Sequence, residues 1–212
     1  MSDTTNLNTA APAQAHEDGV LAALRAATAE RHTLLDSGMP LAAADPTLAD
    51  YRRHLAMLEA WLLPIERWLA RHDDGPQAPA LFAPTTRGDL IAADLADAPA
   101  ARDGIPAIDT AWLEQAPADA AYRWGVCYVI EGSQLGGAVL YKRLAGPLAP
   151  HPLRYLRGDG HGPGARWRQF MQEMDAQVRS PSDIRSACAG ACDAFDALLA
   201  LMAPESPVLL RA

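Results

Sequence analysis

The chain has little of what marks a secreted, membrane-spanning or nucleic-acid-binding protein. It carries three cysteines in 212 residues, Cys127, Cys188 and Cys192. They form no disulfide framework, and all fall within helical patterns, where small free thiols are commonly buried. The expected setting is therefore reducing and cytoplasmic. No run approaches the roughly 18 apolar residues of a membrane helix, and the first residues lack the basic and apolar regions of a signal peptide. Neither membrane nor export is expected. Basic side chains are outnumbered, 18 against 26 acidic ones, for a formal net charge of -8. That excludes the basic footprint a nucleic acid demands. Strand signals are nearly absent. So is any Glu-x-x-His pair, which a di-iron carboxylate bundle needs on two helices.

What remains is apolar and helical. Half the residues are hydrophobic and 21% are charged, enough for one globular domain with a sizeable core. Residues 1–17 hold almost no large apolar side chains and are expected to form a flexible tail. Residues 18–212 form the domain, of all-α class. The periodicity predicts a first helix from about Gly19 to Asp36, ending at Gly38. A second starts after Asp45 as N-cap with Pro46 at its first position, and runs to about Arg71 with a kink or restart at Pro64. A third is capped by Thr85 or Thr86 and reaches Leu95. A short turn covers Asp109–Gln115. Pro117 opens a long helix to about Leu144, and another runs from Ala165 to Val178. Ser180-Pro181-Ser182-Asp183 is a start signal for the last helix, which ends near Met202. Residues 73–84, 97–108 and 146–164 read as connections.

The long helix contains an anomaly, Tyr128-Val129-Ile130-Glu131-Gly132-Ser133-Gln134-Leu135-Gly136-Gly137-Ala138-Val139-Leu140. Each interior glycine costs about 1 kcal/mol relative to alanine. Residues i and i+4 share a face, so Gly132, Gly136 and Gly137 bare one local surface. Two readings follow: close packing of another helix, or a flat ligand resting on exposed backbone. Glu131 is taken as solvated.

The first helix places Leu21, Leu24, Arg25, Thr28, His32 and Leu35 on one face. An apolar-face histidine is more often a core residue than a ligand. Arg25 lies seven residues before His32, a rise of about 10.5 Å, and a cation at that distance suits a carboxylate at the edge of a bound ring.

Ala27-Thr28-Ala29-Glu30-Arg31-His32-Thr33, followed about a hundred residues later by Glu131-Gly132-Ser133-Gln134-Leu135-Gly136-Gly137-Ala138-Val139-Leu140, resembles the haem oxygenase family, in particular its bacterial, bacteriophytochrome-associated branch. The resemblance spans roughly residues 20–202. It implies an all-α fold with haem between a proximal and a distal helix. His32 becomes the axial ligand of the haem iron. Gly132, Ser133, Gly136 and Gly137 become the distal catalytic surface, and Arg25, Thr28 and Arg168 further haem-binding positions. It also implies haem as both cofactor and substrate, opened with O2 and an external electron donor to biliverdin, CO and ferrous iron. The implied partners are a ferredoxin or reductase and a bacteriophytochrome as biliverdin acceptor. Two positions depart from the family pattern. Ser133 stands where many members carry an aspartate that organises water. Gln172 stands where several carry an arginine that helps set haem orientation.

Other histidines carry less. His54 is expected to be a partly exposed helix residue. His72, His151 and His161 fall at helix ends or in loops. Cys188 and Cys192, four residues apart, are read as packing. Two alternatives share the expected fold: a non-catalytic haem carrier or sensor, and a thiaminase-like enzyme with Cys127 as nucleophile.

Overall fold

Small residues on two helices decide the architecture. A computed structural model describes residues 19–83, 85–158 and 162–202, so the expected N-terminal tail lies outside the described residues. Among them are eight α-helices: α1 (Val20–Gly38), α2 (Leu48–Leu69), α3 (Gly88–Leu95), α4 (Ala111–Glu114), α5 (Ala120–Leu144), α6 (Arg154–Arg157), α7 (Gly164–Gln177) and α8 (Pro181–Ala200). Short 3-10 turns at Pro40–Ala42, Gly75–Gln77 and Pro99–Arg102 interrupt the connections. No strand occurs among the described residues, as the helical periodicity predicts.

α5 and α8 press backbone on backbone. A Cβ added at Gly125 would fall 1.8 Å from the Ala187 carbonyl oxygen, and one at Gly190 would fall 2.2 Å from that of Tyr122. Ala187, Ala191 and Ala194 fill the rest of the seam and are fully buried. Tyr122 also donates to Asp193 on α8 at 2.6 Å. α1 lies along the other flank of α8, held by a two-pronged Arg31–Asp196 ion pair at 2.7 and 2.8 Å. α2 crosses the group and donates from Trp61 Nε1 to the Ala194 carbonyl at 2.9 Å.

Several helix starts differ from the expected ones. α2 begins at Leu48 rather than after Asp45. Thr47 Oγ1 accepts from the Asp50 amide at 3.2 Å, and the Asp50 carboxylate accepts from the Thr47 amide at 2.8 Å. This reciprocal box satisfies two orphan donors, where Asp45 could satisfy one. Pro64 neither ends nor restarts α2, which continues through it to Leu69. Trp61, Leu62, Ile65 and Trp68 are buried around it, so tertiary packing offsets the missing hydrogen bond. α3 starts after Arg87 rather than Thr85 or Thr86. α5 starts after Asp119 rather than at Pro117, its carboxylate accepting from the Tyr122 amide at 2.7 Å. The start signal at Ser180 forms as expected, with a reciprocal Ser180–Asp183 box.

The 146–164 connection contains α6, which matters for the site. Buried Asp94 on α3 accepts from the Tyr51 hydroxyl at 2.7 Å, the Tyr155 amide at 3.0 Å and Arg154 Nη1 at 3.2 Å. One carboxylate thus ties α6 to α2 and α3.

The fold makes opposite predictions for glycines at the α5–α8 seam and on the bare stretch of α5. Gly125→Ala or Gly190→Ala forces backbone apart and lowers stability by about 3 kcal/mol or more in urea unfolding. Gly136→Ala, whose Cβ meets nothing within 4 Å, raises it by about 1 kcal/mol. Wild-type stability in Gly190→Ala would contradict the backbone contact.

Candidate functional site

The C-terminal half of α5 does not reach α1. Between them lies a cavity of about 690 Å³, within the range of small-molecule sites. α1 contributes Arg25, His32, Leu35 and Asp36 to its wall, Met39 follows at its end, and α5 contributes Tyr128, Gly132, Ser133, Gly136, Gly137 and Arg143. His54 and Trp61 of α2, Tyr155 of α6, Trp167 of α7 and Phe195 of α8 close the remaining sides.

The three glycines meet no close neighbour. An added Cβ would lie 3.7 Å from the Trp167 ring at Gly132 and 3.7 Å from Leu156 at Gly137, both ordinary van der Waals distances, and it would face open space at Gly136. The tight helix packing occurs at Gly125 and Gly190 instead. Gly132, Gly136 and Gly137 therefore give the cavity a wall of bare backbone.

Opposite that wall, His32 is no core histidine. Its side chain is 63% exposed, because the stripe shared with Leu24 and Thr28 ends at the cavity. Its Nδ1 lies 3.1 Å from Asp36 Oδ2, one turn on, and its ring is tilted against Phe195 at 5.8 Å. A proton held on Nδ1 toward the carboxylate leaves the Nε2 lone pair for a metal. Arg25 lines the same cavity. Thr28 does not. It is buried against the helix core and donates to the Leu24 carbonyl at 2.8 Å. Arg168 and Gln172 are exposed on α7 and also lie outside the lining.

Ser133 opens onto the cavity, but its hydroxyl is engaged. Oγ donates to the Ile130 carbonyl at 2.7 Å and accepts from Gln134 Nε2 at 3.2 Å. The same Nε2 lies 3.1 Å from the Tyr155 hydroxyl.

Two expectations require correction, and one alternative loses support. Glu131 is buried, not solvated: Arg166 grips it with two bonds of 2.9 Å and Arg87 Nη2 approaches at 2.8 Å. Two guanidiniums neutralise it, so burial is tolerated. The cluster fixes the turn of α5 that starts the bare wall. His54 is buried rather than partly exposed. Its Nδ1 has no hydrogen-bond partner among the described residues, and burial pushes its pKa down to about 4. Cys127 is no nucleophile. It is buried outside the cavity lining, Gln77 Nε2 donates to its sulfur at 3.5 Å, and burial pushes the thiol up to about 12.

Of the other histidines, His151 Nδ1 accepts from the Leu153 amide at 3.2 Å. His72 packs edge-on against Trp68. His161 lies outside the described residues. No group of three or more His, Cys, Asp or Glu among the described residues could hold a metal ion.

Sequence reasoning missed His54, Tyr155, Trp167, Phe195 and Arg143. For Arg143 a signal existed: it stands seven residues after Gly136, two turns along the same face. Its Nη2 donates to the Leu41 carbonyl and closes the end of the cavity remote from Arg25. The others reach the cavity through tertiary packing alone.

Known proteins resemble the chain at three levels. Residues 18–203 match the family model described as heme oxygenase. Over 101 residues, 47% of this chain, it is 37% identical to a protein named heme oxygenase from Xanthomonas campestris pv. campestris (strain 8004). That match spans 60% of the relative, less than two thirds of its length. The solved NO- and CO-bound heme oxygenase of Neisseria meningitidis shares the fold, with a TM-score of 0.64 at 20% identity, covering 92% of this chain and 100% of that one.

His54 generates a pH prediction. The unfolded chain takes up a proton near the ordinary value of 6.5, and the folded chain only near 4. Stability is therefore complete above pH 6.5 and falls as pH drops from 6.5 toward 4, by on the order of 3 kcal/mol at about 1.4 per unit. The difference in unfolding free energy between wild type and His54→Leu should narrow or reverse over that window. Parallel pH curves would rule out a neutral, buried His54.

Proposed function

The chain belongs to the haem oxygenase family, and on that premise we propose that it binds haem in the α1–α5 cavity and opens it to biliverdin, CO and ferrous iron. O2 and electrons from an external donor are the co-reactants. One observation carries the reading: a bare backbone wall, open at Gly136, faces a histidine whose Nδ1 rests on a carboxylate. A planar macrocycle fits between them, because it needs a flat surface on one side and a single nitrogen ligand on the other.

His32 Nε2 is the axial ligand in this reading. Asp36 fixes the ring and raises the ligand's basicity. Arg25 meets a propionate carboxylate by a charge-assisted hydrogen bond. Thr28 and Arg168, implied by family position, lie outside the lining, and Arg143 binds the Leu41 carbonyl at the end remote from Arg25, away from the ring edge that carries both propionates. When bound, haem supplies the iron at which O2 is activated and is itself the ring that is cleaved. The chain's part is orientation and exclusion. Gly132, Gly136 and Gly137 admit a diatomic molecule beside the ring but leave α5 too close for a bulky ligand. Tyr128 and Trp167, with ring centroids 5.7 Å apart, pack the Arg25 end of the wall. No carboxylate of the distal segment faces the cavity, since Glu131 is held by Arg87 and Arg166. Proton supply therefore falls to hydroxyls and water.

The proposal extends to the setting. A ferredoxin or a reductase delivers the electrons, and a bacteriophytochrome is the acceptor of biliverdin, by resemblance to the bacterial branch. Three free thiols support a reducing, cytoplasmic compartment. No helix among the described residues is long and apolar enough to cross a membrane. A thiaminase-like reaction lacks support because Cys127 is protonated and walled off.

Haemin titrated into the purified protein should produce a Soret band. Reductant under air should then convert it to the biliverdin spectrum with release of CO. Binding without ring opening would instead indicate a haem carrier, and no Soret change would reject haem altogether. His32→Ala should alter the ferric spectrum and weaken binding. An unchanged spectrum would move the ligand elsewhere.

A further inference from the structure

One end of the cavity is more polar than haem requires. α1 and α5 set its long axis. Arg25 lies close enough to Tyr128 for its charge to bear on that phenol. At the far end of α5, Arg143 donates to the Leu41 carbonyl, just past the end of α1. His32 falls midway in sequence between Arg25 and Met39, both of which line the cavity. His54 belongs to the Arg143 end, because α2 packs on the Pro40–Ala42 turn that Arg143 binds, and Leu41 and His54 line the cavity together. His54 is only 6% exposed, and its Nδ1 is sealed in protein without a partner. Nε2 is not sealed in that way, and no described residue bonds it, so it opens on the cavity that the ring lines. Burial keeps the ring neutral, with one hydrogen for its two nitrogens. A sealed, unpaired N–H is a rarer orphan in folded proteins than an unused lone pair. The hydrogen therefore sits on Nε2 and faces the cavity. Arg143 adds to it, since a guanidinium has several N–H donors and the Leu41 carbonyl engages Nη2 alone.

Haem offers these donors nothing. With its propionates at Arg25, the edge toward His54 and Arg143 carries methyl and vinyl groups. Ring opening changes that edge. Loss of the bridging carbon opposite the propionates as CO leaves an oxygen, drawn from O2, as a carbonyl on each flanking pyrrole. We propose that His54 Nε2–H and Arg143 form a subsite for those two carbonyl oxygens, so that the end of the cavity remote from Arg25 recognises the opened tetrapyrrole rather than haem. Both groups can only donate toward the cavity, which suits a carbonyl and nothing on the unopened edge. This inference rests on haem occupying the cavity with its propionates toward Arg25.

Product binding can be measured apart from turnover. Biliverdin opened opposite the propionates is titrated into the purified protein and followed by quenching of tryptophan fluorescence, with haemin titrated in parallel. His54→Leu should weaken biliverdin binding by roughly three- to tenfold more than haemin binding, the worth of one hydrogen bond. His54→Gln, which keeps an N–H, should recover most of that difference. Infrared spectra of the bound biliverdin give a second readout, because a hydrogen bond lowers a C=O stretch. The carbonyl band should lie below its position in a solvent without donors, and should rise in His54→Leu and in Arg143→Met. Equal losses of both ligands in His54→Leu would overturn the subsite, as would a carbonyl band that either variant leaves unmoved. If the variants do not fold, wild-type protein decides the matter. It should bind this biliverdin more tightly than the isomer opened between the propionates, and equal affinities would overturn the subsite. Absence of a Soret band with haemin would remove the haem reading and the subsite together. A normal Soret band with an unshifted biliverdin carbonyl band would remove the subsite alone.

Discussion

Helix α5 uses bare backbone twice, and the rest of the molecule depends on it. Near its start, Gly125 lets the α8 backbone approach until no Cβ would fit. Two turns later the same absence of side chains, at Gly132, Gly136 and Gly137, leaves a surface that no described residue packs against more closely than Trp167 and Leu156, at 3.7 Å. The first contact holds the second surface in place. Four glycines in one helix sacrifice about 4 kcal/mol of helix propensity, and neighbouring interactions offset it. The alanines of α8 are fully buried against α5. Fully buried Arg123 binds Asp74, Gln77 and the Ala118 carbonyl, fastening the first turns of α5 to the Gly75–Gln77 turn. Glu131, between Arg87 and Arg166, fastens the middle.

The buried ion cluster also separates two functions of one helix. Taking a carboxylate out of water is expensive unless opposite charges surround it, and removing one partner of such a cluster typically costs 3–5 kcal/mol. Glu131 faces away from the cavity toward α7 and Arg87. The residue after it, Gly132, begins the bare wall. The cavity can then remain largely apolar, with His32, Asp36, His54, Tyr128, Ser133 and Tyr155 as its polar lining and the cations Arg25 and Arg143 at its two ends. An apolar slot with a few convergent polar groups is the usual form of a cofactor site.

Much of this was legible in the chain, and the misses share a cause. Helix identities followed from periodicity, and the cap at Ser180 followed from a reciprocal box written in consecutive residues. The cap at Thr47 was missed although its box is equally local, because the Asp45-Pro46 pair obscured it. The spacing of Gly132, Gly136 and Gly137 announced a bare surface but not its occupant. Close packing and ligand contact look the same until the facing element is known, and the packing glycines proved to be Gly125 and Gly190. His32 was placed correctly on α1, but its exposure was not, since an apolar stripe does not reveal where it meets a cavity. His54 and Glu131 were misjudged in one direction. Helical position says little about burial when the burying partners, α7 for Glu131 and the cavity wall for His54, lie far away in sequence. Tyr155 could not have been found, because it sits on a four-residue helix inside a connection rich in glycine and proline.

The central claim is that the bare wall of α5 exists to receive a flat ligand. Gly136→Leu tests it most directly, because the added side chain enters open space rather than protein. Folding should survive: helical content should match the wild type, and unfolding free energy should change by no more than about 1 kcal/mol. Haemin titration of the same sample should show the Soret response lost or greatly weakened. A folded Gly136→Leu protein that binds haemin with wild-type affinity and an unchanged spectrum would contradict the account.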